Sequence, residues 1–457
     1  MSLEAFGVKN LRCLTDTGLV PIRPITVLVG RNSSGKSTFL RAFPLLRQSV
    51  ETARSSPILW YREPGVDFGS FRAAANNKLA EPSVTFQFQV RLPKPYAGTQ
   101  IILAMSLAGG EDPYVSGYEI GYGTDRWRWE LDSKGLATAL FENDHVSPLA
   151  DASMPAGPIG IDGRCALFPG LRVDRQSGVT YSPDAGEVGA LALRRRLVEL
   201  NQPPMFLLAA TRSFPALEIA DRVIPPLLAR VAYLAPLRVS AERAYRVQNL
   251  AVGEVDPDGR NLAMFLRALS PDEAASFAAF TNDWLGFETQ IRSTGLHAEI
   301  LVREAPRRSF VNLIDVGFGF SEVLPLAAML WSSCVRPALH GQAPAPIVAI
   351  EQPELHLHPA FQARLARLLV EAQRRAPGTK IVVETHSESL INGLGRLVYE
   401  GAIGAEDVKL VLFDQDPESG DTNVTLSGYD SDGALQESWP YGFLSPVAER
   451  PFRPAAE

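Results

Sequence analysis

The segment Ile25-Thr26-Val27-Leu28-Val29-Gly30-Arg31-Asn32-Ser33-Ser34-Gly35-Lys36-Ser37-Thr38 decides the reading of this chain. An apolar run of strand length ends on a glycine that opens the pattern G-x-x-x-x-G-K-S. Such a loop turns several backbone N–H groups toward one anion, and a Cβ would obstruct it where the chain approaches closely. Gly30 and Gly35 stand at those places, with Asn32, Ser33 and Ser34 between them. Lys36 supplies a positive charge for the β- and γ-phosphates of a nucleoside triphosphate. Ser37 offers a hydroxyl to the Mg²⁺ that bridges them, and Thr38 completes the motif. From Lys36 to Val50 apolar residues recur at helical spacing. The phosphates are therefore expected at a helix N-terminus, where free N–H groups and the dipole favour anions.

Composition sets the outer limits. A chain of 457 residues, 46% hydrophobic and 21% charged, is globular and long enough for two or three domains. Cys13, Cys165 and Cys334 lie far apart with no C-x-x-C pair, which argues against a disulfide framework and a cysteine zinc site. No signal peptide is read at Met1–Phe6 and no apolar run approaches 18 residues, so a soluble, cytoplasmic protein without membrane contact is expected. The net charge of −7 gives no global attraction to nucleic acid. Contact with DNA would need a local basic patch or a partner.

Outward from the loop, residues 1–90 read as strand, strand, loop and helix, closing on the alternating strand Ser83–Val90. Over 91–187, short alternating runs such as Ile101–Leu107, Tyr118–Tyr122 and Trp127–Leu131 are separated by turns such as Asp132–Gly135, which predicts antiparallel hairpins. Helical periodicity fills 188–285, in LALRRRLVEL, IPPLLARVAYL, NLAMFLRALS and PDEAASFAAFTNDWL. Strands return at Thr289–Arg292, Ala298–Val302 and Val311–Ile314, and strand then alternates with helix. The expected fold is α/β. Its nucleotide-binding domain is formed by residues 1–90 and 286–457 and interrupted by an insertion, β-hairpin-rich over 91–187 and helical over 188–285.

Three further segments complete the candidate site. Ala345–Glu354 is a buried-strand pattern closing on Glu351, where the metal shell needs a negative ligand. Lys380–Ser387 repeats the design and brings His386 to the same edge of a parallel sheet. Gly317-Phe318-Gly319-Phe320-Ser321-Glu322 precedes the apolar helix Val323–Trp331 and is a second anion-binding device.

In this order of parts the chain resembles the ABC-type ATPases. More narrowly, it resembles bacterial AAA-family ATPases related to RecF, SMC proteins and the ATPase half of the overcoming-lysogenization-defect (OLD) nucleases. The resembling words are VLVGRNSSGKSTFLRAF, LAPLRVSAERAY, VNLIDVGFGFSEVLPLAAML, VAIEQPELHLHP, VVETHSESLI and SWPYGFLS. The resemblance implies a mixed sheet and a head-to-tail homodimer, or a higher even oligomer. ATP would lie between the phosphate loop of one subunit and Gly317, Gly319 and Ser321 of the other. It puts Glu351 on the metal-ligand position, Gln352 on the general-base position, His386 on the switch histidine and His358 on a position facing the other subunit. An amide cannot accept a proton from water, so Gln352 predicts slow hydrolysis and a long-lived ATP-bound dimer. Glu354 is a substitute base only if the chain stays extended through Pro353. What relatives do implies a sensor or scaffold subunit of an anti-phage defence or DNA-maintenance complex, with a separately encoded effector such as a nuclease. The alternatives are a RecF-like DNA-binding ATPase acting alone in repair and an OLD-like nuclease.

Several residues carry two readings. His356 and His358 could be metal ligands or part of an interface loop. Glu322 could approach another subunit's phosphates or simply favour a helix N-terminus. Asp414-Gln415-Asp416 could belong to a nuclease site or to a hairpin with an acidic turn. Arg194–Arg196 reads as a solvated helix face, Arg238 and Arg243 as braces or contacts to nucleotide or partner, and Trp127 and Trp129 as core residues of a hairpin.

Overall fold

The computed structural model describes residues 2–52, 56–92, 100–122, 125–131, 136–143, 154–161, 171–174, 178–181, 223–248, 252–304 and 308–436. The chain divides into two compact units. One comprises residues 1–21, 41–231 and 417–422, and the other residues 22–40, 232–416 and 423–457.

The first unit holds an eleven-stranded sheet. Its strands are β1 (Ser2–Leu11), β2 (Leu14–Asp16), β3 (Val20–Pro21), β5 (Ser83–Arg91), β6 (Gln100–Ala108), β7 (Tyr114–Tyr122), β8 (Asp125–Leu131), β9 (Leu136–Asn143), β10 (Met154–Ile161), β11 (Leu171–Asp174) and β12 (Gly178–Tyr181). The spatial order is β11-β12-β10-β9-β8-β7-β6-β5-β1-β2, with β3 also on β1. The strict alternation of β5 buries Val84, Phe86, Phe88 and Val90 on one face, and this pattern fixes its register. From β5 to β9 each strand pairs antiparallel with the next, as the alternating runs predict. The side chains of Trp127 and Trp129, the turn at 132–135 and the helical pattern over 188–222 lie outside the described residues.

The second unit holds a six-stranded sheet, ordered β13 (Val231–Leu234), β18 (Ile347–Glu351), β19 (Lys380–Glu384), β4 (Ile25–Gly30), β20 (Val408–Gln415) and β21 (Thr422–Ser427). The four strands from β18 to β20 run parallel. A smaller sheet joins β14 (Tyr245–Arg246), β15 (Phe287–Thr294), β16 (His297–Glu304) and β17 (Val311–Asn312). Near-continuous apolar runs in β4, β18 and β19 suit strands covered on both faces. The core includes Val27, Val29, Val348 and Val383 with Leu324 and Leu330 of α5 (Phe318–Leu330), Leu365 and Leu369 of α7 (Pro359–Arg375) and Leu390 and Leu394 of α8 (Glu388–Tyr399).

Two of the expected boundaries do not coincide with unit limits. Residue 90 lies inside β5, whose backbone groups pair onward with β6 in one sheet. Residue 285 ends α4 (Pro271–Leu285), whose Phe277, Phe280 and Leu285 share a core with Val27 and Val29. The helical reading of IPPLLARVAYL also fails in its last four residues. Val231–Leu234 carries β-branched Val231 and aromatic Tyr233 two residues apart and forms β13 beside β18. Helices α3 (Leu262–Ala268) and α4 form as their periodicity requires. Among the described residues no helix is long and apolar enough to cross a membrane.

Candidate functional site

The site gathers at the carboxyl ends of β4, β19 and β18. The chain leaves β4 at Gly30 with φ 158°, and a Cβ there would stand 2.4 Å from the Phe413 carbonyl oxygen and 2.6 Å from Ser34 Oγ. Gly35, at φ 95°, turns the chain into α1 (Lys36–Glu51), and Ser33 takes a left-handed φ of 65° between them. Ser34 Oγ donates to the Arg31 carbonyl at 2.8 Å. The buried Lys36 ammonium donates to the carbonyls of Gly30 and Arg31, at 2.8 and 2.6 Å, and so lies back across the loop. Burial lowers the Lys36 pKa, while the negative charge of Glu384 opposes that shift. Thr38 is buried; Asn32 and Ser33 are exposed.

Glu384, which sequence reasoning passed over, is a buried carboxylate in contact with this loop. It ends β19, is 2% exposed, and accepts a hydrogen bond from Ser37 Oγ at 2.8 Å. Glu351 ends β18 in register with Glu384, is 1% exposed, and accepts from the Tyr233 hydroxyl at 2.7 Å. The signal for Glu384 was present in the sequence, because KIVVE and IVAIE are both apolar strands closing on glutamate. Tyr233 was hidden by the helical reading of its segment.

The turn after β18 is tied to the same edge. Gln352 adopts a left-handed φ of 41°, and its N–H donates to the Glu384 carbonyl at 2.9 Å. The buried Glu354 accepts from the His386 backbone N–H at 2.6 Å. Burial raises the Glu354 pKa. Hydrogen bonds from the His386 and Glu354 backbones and from Thr385, and the charge of Arg238, act against that rise. The His386 side chain is exposed, and its pKa is lowered by partial burial and by the charge of Lys36.

Gly317, Gly319 and Ser321 stand at the start of α5, where Gly317 has φ 105°. The Glu322 side chain turns inward to Arg238. The guanidinium donates to the Glu322 carboxylate at 3.3 Å and carbonyl at 3.4 Å, and to the Gln352 carbonyl at 3.4 Å. Burial raises the Glu322 pKa, while Arg238 and His356 lower it. Arg238 thereby links the glycine-rich turn to the turn after β18. Arg243 is held in a two-pronged ion pair with Asp315, at 3.0 and 2.6 Å.

Asp414 lies at the end of β20, and β21 is its neighbour in the sheet, in line with the hairpin reading. Among the described residues no group of three or more His, Cys, Asp or Glu side chains could hold a metal unaided, His356 and His358 included. Ser37, Glu384 and Glu351 nonetheless offer the hard oxygen donors that suit Mg²⁺, which commonly takes one or two carboxylates and completes its shell with phosphates and water.

A family model described as "AAA ATPase domain" matches residues 1–81, and one described as "AAA domain, putative AbiEii toxin, Type IV TA system" matches residues 249–392. Both models describe AAA-family ATPase domains. The first match contains the phosphate loop, and the second contains the glycine-rich turn, Glu351, Gln352, Glu384 and His386. The chain is 31% identical to the OLD nuclease of Thermus scotoductus (strain ATCC 700910 / SA-01) over 140 residues, which cover 27% of this chain and 24% of that protein. It thus spans about a quarter of the length of the curated relative it matches. Solved structures similar to it include the SMC head domain from Thermotoga maritima, with 13% identity, TM-score 0.39 and coverage of 93% of this chain and 98% of that one. An SMC head bound to the C-winged helix domain of ScpA gives 10% identity, TM-score 0.41 and coverage of 93% and 98%.

Proposed function

We propose that this chain binds ATP with Mg²⁺ at Gly30–Thr38, hydrolyses it slowly, and uses the bound triphosphate to hold two copies together. The observation that carries the reading is the meeting of Ser37 with a buried carboxylate at the mouth of the phosphate loop, beside a lysine that rests on loop carbonyls. A triphosphate would offer Lys36 stronger, charged acceptors in place of those carbonyls. Gln352 occupies the general-base position and has no basic atom for the attacking water's proton, so turnover stays well below the typical ~10 s⁻¹. His386, Glu354 and Gln352 form the edge that would face the γ-phosphate, and Gly317, Gly319 and Ser321 would close over the nucleotide of a second copy.

The biological role is a sensor or scaffold in defence or DNA maintenance that works with a separately encoded nuclease. Its supports are the match to an OLD nuclease and to a toxin-type AAA domain. The test pairs nucleotide binding with assembly state. Purified chain is expected to bind ATP and to double in mass by light scattering, and Lys36→Ala is expected to do neither. An effector that co-purifies from the native host supports the role. Tight duplex DNA binding by the pure chain with ATP favours the RecF-like alternative instead.

A further inference from the structure

We infer that Glu384, rather than Glu351, is the principal carboxylate partner of Mg²⁺ at the phosphate loop; the inference rests on the nucleotide reading above. The sheet order supports it. β19 lies directly beside β4, and β18 lies one strand further out, so the backbone of Glu384 is nearer β4 by one inter-strand spacing, about 4.8 Å.

The hydrogen bonds point the same way. A serine hydroxyl that gives a lone pair to a metal keeps its proton for an acceptor, and Ser37 Oγ already donates to Glu384 Oε1 at 2.8 Å. Glu351 is instead engaged from the opposite side of β18, where Tyr233 on β13 donates to it at 2.7 Å. Glu384 is also fixed in place. Its carbonyl receives the Gln352 N–H, and its backbone is in register with Leu28 of β4. Its charge acts on Lys36, so one carboxylate balances both the lysine and the metal hydroxyl of the loop.

The experiment measures binding of a fluorescent N-methylanthraniloyl-ATP to the full chain, with Mg²⁺ or with EDTA. Wild type is expected to gain affinity on adding Mg²⁺. Glu384→Gln should lose most of that gain, about 10- to 100-fold, while its binding in EDTA is unchanged or tighter because a negative charge near the phosphates is gone. Glu351→Gln should keep most of the gain. Should Glu384→Gln fail to fold, Glu384→Asp provides the reading: a reduced gain supports the inference, and a wild-type gain overturns it. A Mg²⁺ gain that survives in Glu384→Gln and is lost in Glu351→Gln also overturns it, leaving the nucleotide reading intact. Absence of nucleotide binding by wild type, with or without Mg²⁺, overturns both.

Discussion

Arg238 and Glu322 form an ion pair whose side chains are 0% and 4% exposed, with 3.3 Å between guanidinium and carboxylate. Each charge has left water, and each depends on the other to offset that loss. Removing one partner strands the other, so Arg238→Met and Glu322→Leu are each expected to cost about 3–5 kcal/mol in urea unfolding. The double variant should recover most of that stability. It should not recover ATP-dependent assembly, because Arg238 also holds the Gln352 carbonyl and so joins the glycine-rich turn to the turn after β18.

Gly30 tests how tightly the loop is packed. A methyl group at residue 30 would press on the Phe413 carbonyl and Ser34 Oγ, and the backbone would be strained at φ 158°. Gly30→Ala is expected to lower stability by about 1–3 kcal/mol. It should also weaken ATP binding more than that loss explains, as titrations below the melting temperature would reveal. Gly18→Ala serves as the control for backbone strain without crowding, since its φ is 61° and nothing lies within 4 Å of its added Cβ.

Tyr233→Phe removes a hydrogen-bond donor from the buried Glu351 while keeping the ring. The expected loss of stability is about 1–3 kcal/mol, read by denaturant unfolding. Glu351→Gln in the Tyr233→Phe background should show a smaller further change than in wild type, since the two groups are coupled.

How much of this was legible in the sequence follows from how local each feature is. The phosphate loop and its flanking strand and helix are dictated by residues within about one turn of each other, and they fold as read. The hairpins from β5 to β9 follow from alternation in the same way. Glu384 was overlooked for a non-local reason. Which strand lies beside β4 depends on the sheet order, and β19 inserts between β4 and β18 although it is last of the three in the chain. Arg238 belongs to a recognisable word, yet its partners are 84 and 114 residues away. Tyr233 follows a helix-like stretch, and only pairing with β18 makes its segment a strand.

Glu273 gives a pH-dependent test. At the third position of α4 its carboxylate receives the Ser270 N–H, Arg336 Nε at 2.7 Å and His340 Nε2 at 2.9 Å, while the Ser270 hydroxyl caps the Glu273 N–H. Burial alone would raise its pKa. The Ser270, His340 and Arg336 contacts overcome that and bring it down to about 2. A carboxyl depressed in the folded state stabilises the fold above its unfolded pKa, near 4.5, and that contribution is lost as pH falls toward 2. Glu273→Gln should therefore lower stability at pH 7 by about 2 kcal/mol, and the gap from wild type should narrow progressively below pH 4.5.

On the proposed function, Gln352 would decide whether a bound triphosphate is hydrolysed quickly or held. Its backbone is held from both sides, by N–H donation to the Glu384 carbonyl and by Arg238 on its own carbonyl, so exchanging the side chain leaves the turn in place. Gln352→Glu changes one atom and introduces a group able to accept the attacking water's proton. General bases contribute about 10²–10⁴-fold, and a rate increase of at least tenfold is expected. The ATP-bound dimer should shorten its lifetime in proportion, as measured by single-turnover hydrolysis alongside the decay of dimer mass. A rate that does not change, or that falls as in Gln352→Ala, places the proton acceptor elsewhere. Glu354 is then the residue to substitute: the turn at Gln352 breaks the extended path expected through Pro353, yet the Glu354 carboxylate still lies on the same edge against the His386 N–H.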